Sequence, residues 1–244
     1  MTDRMRALVI VPTYNERATI AEVARRLFDA AGESVELMVV DDGSPDGTAE
    51  VVKQLASGPH AIHLIERSNK QGLGSAYVAG FGWALERDYD AVVEMDADLS
   101  HDPGDVPRLL SALDDDDLVI GSRYIPGGGT RNWGRLRHLL SRSANIYARI
   151  LLGFDVADST AGFRAYRTEW LATQELATIS SEGYAFQIEM TRRVHRSGGR
   201  IEEVPITFVE REQGRSKMNR RIVLEALWAV ARWGVADRWT KKSS

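Results

Sequence analysis

Between Ala7 and Ile120 the chain repeats one unit: a short apolar run, a polar break, and a segment of helical period. The runs are Ala7–Val11, Leu37–Val40, Ile62–Ile65, Ala91–Met95 and Leu118–Ile120. Near-continuous apolar character over so few residues predicts strands covered on both faces. Between the first two, Ile20, Val23, Ala24, Leu27 and Phe28 fall at helical spacing within 18–31, ahead of Gly32. Further helices are expected from Thr48 to near Gly58, from Gly74 to about Arg87, and from Pro103 to Leu113. This alternation specifies an α/β fold with a mostly parallel central sheet and helices on both faces. In such sheets ligands bind beyond the carboxyl ends of the strands. Those ends carry Pro12-Thr13-Tyr14-Asn15-Glu16, Asp41-Asp42-Gly43-Ser44 and Asp96-Ala97-Asp98, so acidic groups and a tyrosine converge on one edge.

Composition narrows the classes of function. A chain of 244 residues, 43% hydrophobic, buries a sizeable core. It has no cysteine, which excludes disulfides, thiolate metal sites and cysteine nucleophiles. No apolar run reaches the roughly 18 residues of a membrane span. Met1 to Arg6 lacks the features of a secretory signal, which sets the expectation of a cytoplasmic protein. The net charge of -4 conceals a division: 10 Lys+Arg against 23 Asp+Glu up to Asp117, then 21 against 12. That suits a cation site beside an anionic ligand or surface, and equally two solvated faces of different bias. The net acidity and the acidic strand edge argue against nucleic acid.

Past Tyr124 come a loop at Pro126-Gly127-Gly128-Gly129, a basic helix expected over 135–152, and strand and helix signals from Phe163 to Val209. A last helix is expected from about Asn219 to Arg238. The chain thus divides into one α/β domain, 1–218, and a C-terminal amphipathic helix with a basic tail, 219–244. Asp96-x-Asp98 presents two hard oxygen ligands that can share one Mg2+ or Mn2+ when a diphosphate supplies further oxygens. The competing reading has one aspartate capping the helix that begins at Pro103. Position at a strand's carboxyl end favours the metal. His60, His63, His101, His138 and His195 show no ligand spacing and are expected to be structural or exposed.

The strand-end segments are followed in order by Gly121-Ser122-Arg123-Tyr124, by Arg137 with Ser141-Arg142-Ser143-Ala144-Asn145, and by Asp158-Ser159-Thr160-Ala161-Gly162-Phe163-Arg164. Arg211 with Gly214, Ser216 and Lys217 completes the series. Together they resemble the family 2 GT-A glycosyltransferases, and more narrowly the polyprenol-phosphate mannosyltransferases of the dolichyl-phosphate mannose synthase type. The resemblance covers roughly residues 6–220. It implies a GT-A nucleotide-diphospho-sugar transferase fold and an inverting, metal-dependent transfer of mannose from GDP-mannose to a polyprenyl monophosphate. A transferase using UDP-glucose on the same lipid is the nearest rival, separated by a few contacts around Asp42.

On this resemblance Pro12, Tyr14, Glu16, Val40, Asp41 and Asp42 fall at the nucleotide's base and ribose. Tyr14 could otherwise be a core aromatic, and Asp41 or Asp42 a turn-former before Gly43. Asp96 and Asp98 match metal ligands, and the backbone of Ala97 a nucleotide contact. Ser100 stands where some relatives carry a glutamine ligand; its hydroxyl is a shorter and weaker donor, so it binds through water or the third contact is absent. Arg211 and Lys217 match a clamp on the donor diphosphate, with Gly214 as the pivot of a lid. Arg123 and Arg137 match the grip on the acceptor phosphate. A phosphate monoester, with a second pKa near 6, is already largely a dianion at pH 7. Placement and charge neutralisation then matter more than proton abstraction.

Ile222, Val223, Ala226, Leu227, Val230, Ala231, Val235 and Trp239 recur at helical spacing after Arg220-Arg221, with Trp228, Trp233, Lys241 and Lys242 nearby. Two readings stay open: an interfacial helix on the cytoplasmic face of a membrane, or a helix packed on the core. Arg135, Arg142 and Arg149 add attraction to anionic lipid, and an integral membrane partner protein is a second route to the acceptor. A dinucleotide oxidoreductase would need G-x-G-x-x-G after the first strand, where Pro12 to Glu16 stands instead.

Overall fold

Each apolar run becomes a strand, and the chain returns across one sheet. The computed structural model describes residues 5–210 and 220–242, the last stretch with side chains from 225 to 237. The strands are β1 (Ala7–Thr13), β2 (Val35–Asp41), β3 (Ile62–Glu66), β4 (Ala91–Glu94), β5 (Leu118–Ser122), β6 (Gly129–Arg131), β7 (Arg164–Arg167), β8 (Ile201–Pro205) and β9 (Thr207–Val209). The helices are α1 (Ile20–Ala31), α2 (Thr48–Ala56), α3 (Leu73–Leu85), α4 (Val106–Ala112), α5 (Arg135–Leu152), α6 (Thr168–Ala172), α7 (Gly183–Arg196) and α8 (Arg220–Lys242). The main sheet runs β3-β2-β1-β4-β7-β5-β8. Within it β7 lies antiparallel to both neighbours and the other pairings are parallel. A separate parallel pair, β6 with β9, stands beside it.

Alternation along β1 explains the two-sided burial. Ala7, Val9 and Val11 pack with Ile20, Val23 and Leu27 of α1 and with Val106 and Leu109 of α4. Leu8 and Ile10 pack on the other face with Tyr77 and Phe81 of α3, Phe186 of α7 and Val230 of α8. A Cβ at Gly80 of α3 would lie 2.7 Å from Ile10 Cδ1, so glycine sets how closely that helix approaches β1.

Two expectations change. The helix expected from Pro103 to Leu113 is split: a single 3-10 turn, Pro103–Asp105, precedes α4. Asp102 caps that turn, its Oδ1 accepting from the Gly104 N–H at 3.0 Å. The cap is thus neither Asp96 nor Asp98, which removes the competing reading of the aspartate pair. The C-terminal helix, left open between two roles, packs on the core through one face. Ala226 and Val230 are buried, Tyr147 OH donates to the Leu227 carbonyl at 3.2 Å, and Asp237 pairs with Arg192 and Arg196 of α7. Trp228 and Val235 remain exposed, while the side chains of Ile222, Val223, Trp239, Lys241 and Lys242 lie outside the described residues. Among the described residues no helix is long and apolar enough to cross a membrane.

At the amino-terminal end of the sheet, Glu36 of β2 gathers Arg6 at 2.6 Å, His63 at 2.7 Å and Tyr89 OH at 2.7 Å. Burial pushes its pKa up, but the bonds from His63, Arg6 and Tyr89 outweigh it and hold the carboxyl at about 2. A depressed carboxylate stabilises the fold above its unfolded value of 4.5 and ceases to do so as pH falls toward 2. Glu36→Gln is expected to cost about 1–3 kcal/mol at pH 7. Urea unfolding at a series of pH values would show the gap between the two proteins closing below pH 4.5.

Candidate active site

β1 and β2 end side by side, and hydrogen bonds fasten the loops that follow. Buried Asp41 accepts from Thr13 OH at 2.7 Å, Ser44 OH at 2.6 Å and the Ser44 N–H at 2.8 Å. Asn15, at φ 62°, donates its N–H to Ser44 Oγ at 3.0 Å, and the Glu16 N–H donates to Thr48 Oγ1 at 3.1 Å. Both oxygens of Asp41 are therefore engaged within the turn. Asp42 is ion-paired with Arg67 and accepts from the N–H groups of Gln71 at 3.2 Å and Gly72 at 3.1 Å. It orders the loop that enters α3. Tyr14 stands half-buried beyond the end of β1, not in the core, with the Lys70 ammonium 4.1 Å from its ring centre. Pro12 and Glu16 are half-buried beside it. Val40, next to Asp41 at the end of β2, is wholly buried with Leu8 and Ile10.

β4 delivers the aspartate pair on a turn with fixed backbone. The Asp96 N–H donates to His101 Nδ1 at 3.3 Å, and Asp98 Oδ1 accepts from the Ser100 N–H at 3.0 Å. Leu99 between them sits at φ 61°, a conformation costly for a branched aliphatic residue. Buried Ser100 accepts at its carbonyl from the Val209 N–H at 3.0 Å, which ties the turn to β9, and Ala97 is buried in the core. His101 is buried against Phe163, and burial lowers its pKa to about 4. It is neutral at pH 7 and serves as a backbone acceptor. No spacing in the sequence tied it to the aspartates. A Cβ on Gly162 would stand 3.8–3.9 Å from His101, Gln187 and Asp96, so bare backbone borders the pair. Among the described residues no cluster of three His, Asp or Glu could hold a metal. Two hard carboxylates are an incomplete donor set, which fits a cation whose other ligands are substrate phosphates and water.

Arg123, just past β5, is buried and forked onto Asp158, with Nε at 2.7 Å, Nη2 at 2.6 Å and its backbone N–H at 2.9 Å. Burial would lower the guanidinium's pKa, but the Asp158 charge outweighs it and raises it; Asp158 is held low by the same pair. Asn145 of α5 reaches Thr160 Oγ1 at 3.1 Å and Asp158 Oδ1 at 3.3 Å, and accepts from Ser159 OH at 3.0 Å. Arg137, also on α5, is ion-paired with Glu210 and lies 4.3 Å from the centre of the Trp133 indole, which Arg123 faces at 5.3 Å. The two arginines thus meet on one indole. Asp158 stands in one of the motifs without an assigned role, and neither Glu210 nor Trp133 is singled out in the sequence. Arg211, Gly214 and Lys217 lie outside the described residues.

Residues 8–173 match the glycosyl transferase family 2 domain. The chain belongs to that family. This glycosyltransferase is 52% identical over 235 residues to an undecaprenyl-phosphate mannosyltransferase of Micrococcus luteus, covering 96% of each chain. It is 50% identical to a polyprenol monophosphomannose synthase of Mycolicibacterium smegmatis, over 96% of this chain and 88% of that one. A dolichol-phosphate mannosyltransferase of Pyrococcus furiosus is 38% identical, over 98% and 68%. Glucosyl-3-phosphoglycerate synthase of Mycobacterium tuberculosis, solved with UDP, superposes with a TM-score of 0.66 at 23% identity, covering 94% of this chain and 80% of that one. A structure of that enzyme with Mn2+, UDP-glucose and phosphoglyceric acid gives 0.63 at 25% identity, covering 96% and 78%. The GT-A arrangement expected from the motifs is the fold observed.

The buried Arg123–Asp158 pair yields a stability test. Asp158→Asn strands a buried guanidinium and is expected to cost about 3–5 kcal/mol. Urea denaturation of the two proteins at pH 7 measures the difference.

Proposed function

We propose that this glycosyltransferase moves mannose from GDP-mannose to a polyprenyl monophosphate with inversion at the anomeric carbon. The observation that carries the reading is two kinds of charge at one end of the sheet: the Asp96/Asp98 turn with His101 on one side of the Phe208 ring, Arg123 and Arg137 around Trp133 on the other. Near-full-length identity to mannosyltransferases named for polyprenyl acceptors supports the substrate class. Mg2+ or Mn2+ held by Asp96 and Asp98 would neutralise the donor diphosphate and the departing GDP. Ser100, with its backbone committed to Asp98 and Val209, braces that turn.

An oxygen of the lipid phosphate attacks C1 of mannose, the C1–O bond to GDP breaks, and the bonding pair leaves with the diphosphate. No proton has to be removed from the nucleophile, because the phosphate is already ionised. The neighbouring side chains agree. Asp158 is saturated by Arg123, Asn145 and Thr160, and the His101 Nδ1 lone pair is taken by the Asp96 N–H. Arg137 then neutralises the incoming phosphate, while Arg123, held on Asp158, helps to position it. Arg211 and Lys217 are assigned to the donor diphosphate on the strength of the family motif.

The acceptor is a lipid, and α5 offers a face for its membrane. Leu136, Leu139, Leu140, Ile146 and Ile150 are 51–70% exposed and fall on one side of the helix, within about 120° of arc at 3.6 residues per turn. Arg135, Arg142 and Arg149 repeat every seven residues along one border of that stripe. An apolar ridge with a basic margin fits peripheral binding to an anionic bilayer. Trp228 and Val235 of α8 are exposed as well.

Two measurements test these readings. Purified protein given GDP-mannose and a short polyprenyl phosphate in detergent is expected to form the mannosyl lipid, to stop with chelator, and to resume with Mg2+ or Mn2+. Asp96→Asn and Asp98→Asn are expected to lower kcat by about 100-fold or more; transfer from UDP-glucose alone, or turnover indifferent to chelator, would overturn the assignment. In a flotation assay with anionic vesicles, Leu139→Glu with Ile150→Glu is expected to reduce binding by about 10-fold or more.

A further inference from the structure

Both acceptor-side guanidiniums already carry a carboxylate partner, and the two partners differ in kind. Asp158 is completely buried and takes the Nε and Nη2 edge of Arg123 together with its backbone N–H. Asn145 and Thr160 bond it further, and its own N–H donates to Glu203 at 3.0 Å. Displacing it would strand a charge without solvent, so that pair is permanent. Glu210 is the contrary case. Its side chain is 30% exposed, it follows the last residue of β9, and its backbone N–H is fixed to the Arg131 carbonyl at 3.1 Å. Its carboxylate meets Arg137 alone among the contacts described, and Arg137 is itself 22% exposed. The backbone can stay in place while this side chain swings into water at little cost.

We propose that Glu210 is a placeholder in the acceptor phosphate site. Its carboxylate occupies Arg137 until a phosphate headgroup displaces it, and this competition sets the affinity for the acceptor. The proposal rests on the reading of Arg137 as a grip on the acceptor phosphate. A carboxylate and a phosphate offer the same paired oxygens to a guanidinium, but the phosphate dianion brings twice the charge. An incoming dianion therefore wins the exchange where a singly charged headgroup gains little. Glu210 would thus favour a phosphate monoester over a diester, whose phosphate carries one negative charge at most. The permanent Arg123–Asp158 pair supplies a fixed wall of the site, and the Arg137–Glu210 pair its movable one.

The test is steady-state kinetics on the full chain, with GDP-mannose and a short polyprenyl phosphate varied in turn. Glu210→Gln removes the competing charge and is expected to lower the acceptor KM about 3- to 10-fold, leaving the donor KM unchanged. KM does not depend on the folded fraction of a preparation, so partial misfolding does not imitate this gain. An acceptor KM that is unchanged or raised, or acceptor and donor KM values that fall together, would overturn the proposal. Arg137→Gln, run alongside, is expected to raise the acceptor KM about 10-fold or more. If it does not, the acceptor reading of Arg137 fails and the placeholder falls with it. If it does while Glu210→Gln lowers nothing, the acceptor reading stands and Glu210 is a structural brace.

Discussion

The buried Arg123–Asp158 pair is the joint on which the arginine half of the site is built. Arg123 leaves the end of β5, Asp158 lies midway along the loop that returns as β7, and Asn145 brings in α5. Three segments far apart in sequence are fixed at one point by a charge pair that water does not reach. Removing either partner would leave the other as an uncompensated buried ion, so the geometry has one stable solution. Arg164, wholly buried nearby, completes the loop by donating to the Ser159 and Ala161 carbonyls, each at 2.6 Å. Two buried arginines thus do for this loop what regular secondary structure does elsewhere, since backbone acceptors out of water must be satisfied by something.

The aspartate half is held differently, by backbone. The Asp96–Ser100 turn is tied to β1 through the Met95 N–H, which donates to the Ile10 carbonyl at 3.1 Å. It is tied to β9 through Ser100 and to the neutral imidazole of His101 through Asp96. Leu99 at positive φ is the cost of presenting two carboxylates two residues apart on so tight a turn. Beneath it Glu94 is fully buried, its pKa pushed up to about 7 by burial, with Gln187 donating to it at 2.7 Å. A fully charged carboxylate there would repel the pair that the strand exists to present. Burial that favours the protonated form lessens that repulsion.

Much of this was legible in the sequence, for reasons that can be named. Strands buried on both faces must be apolar nearly throughout, so β1 and β2 announced themselves, and parallel order followed from the helices between them. The strand-end rule then located Tyr14, Asp42, Asp96 and Asp98 on one edge without any distance being known. What escaped was whatever depended on a partner distant in sequence. β7 has charged residues at both ends, Arg164 and Arg167, and its antiparallel place between β4 and β5 shows no hydrophobic period. His101 read as incidental because a histidine acting as a backbone acceptor leaves no ligand spacing. Asp158 stood in a motif without a role, and Glu210 read as part of a polar loop, because their arginines lie 35 and 73 residues away.

Helix α5 shows why the two halves need each other. Arg137, Ser141 and Asn145 recur every four residues and so share one side of the helix, which the Asn145 and Arg137 contacts turn toward the site. Leu136, Leu140 and Ile150 lie on a different side, exposed, with arginines along the margin. A helix about 27 Å long therefore carries Arg137 and Asn145 on one face and an exposed apolar stripe on another. A lipid phosphate sits at the boundary between hydrocarbon and water, so an enzyme that uses it as nucleophile has to place its cationic grip at that same depth. Setting the grip and the apolar stripe on one rigid rod fixes their separation without a hinge. On the proposed reading, the separation that a lipid phosphate requires is thereby written into the pitch of a single helix.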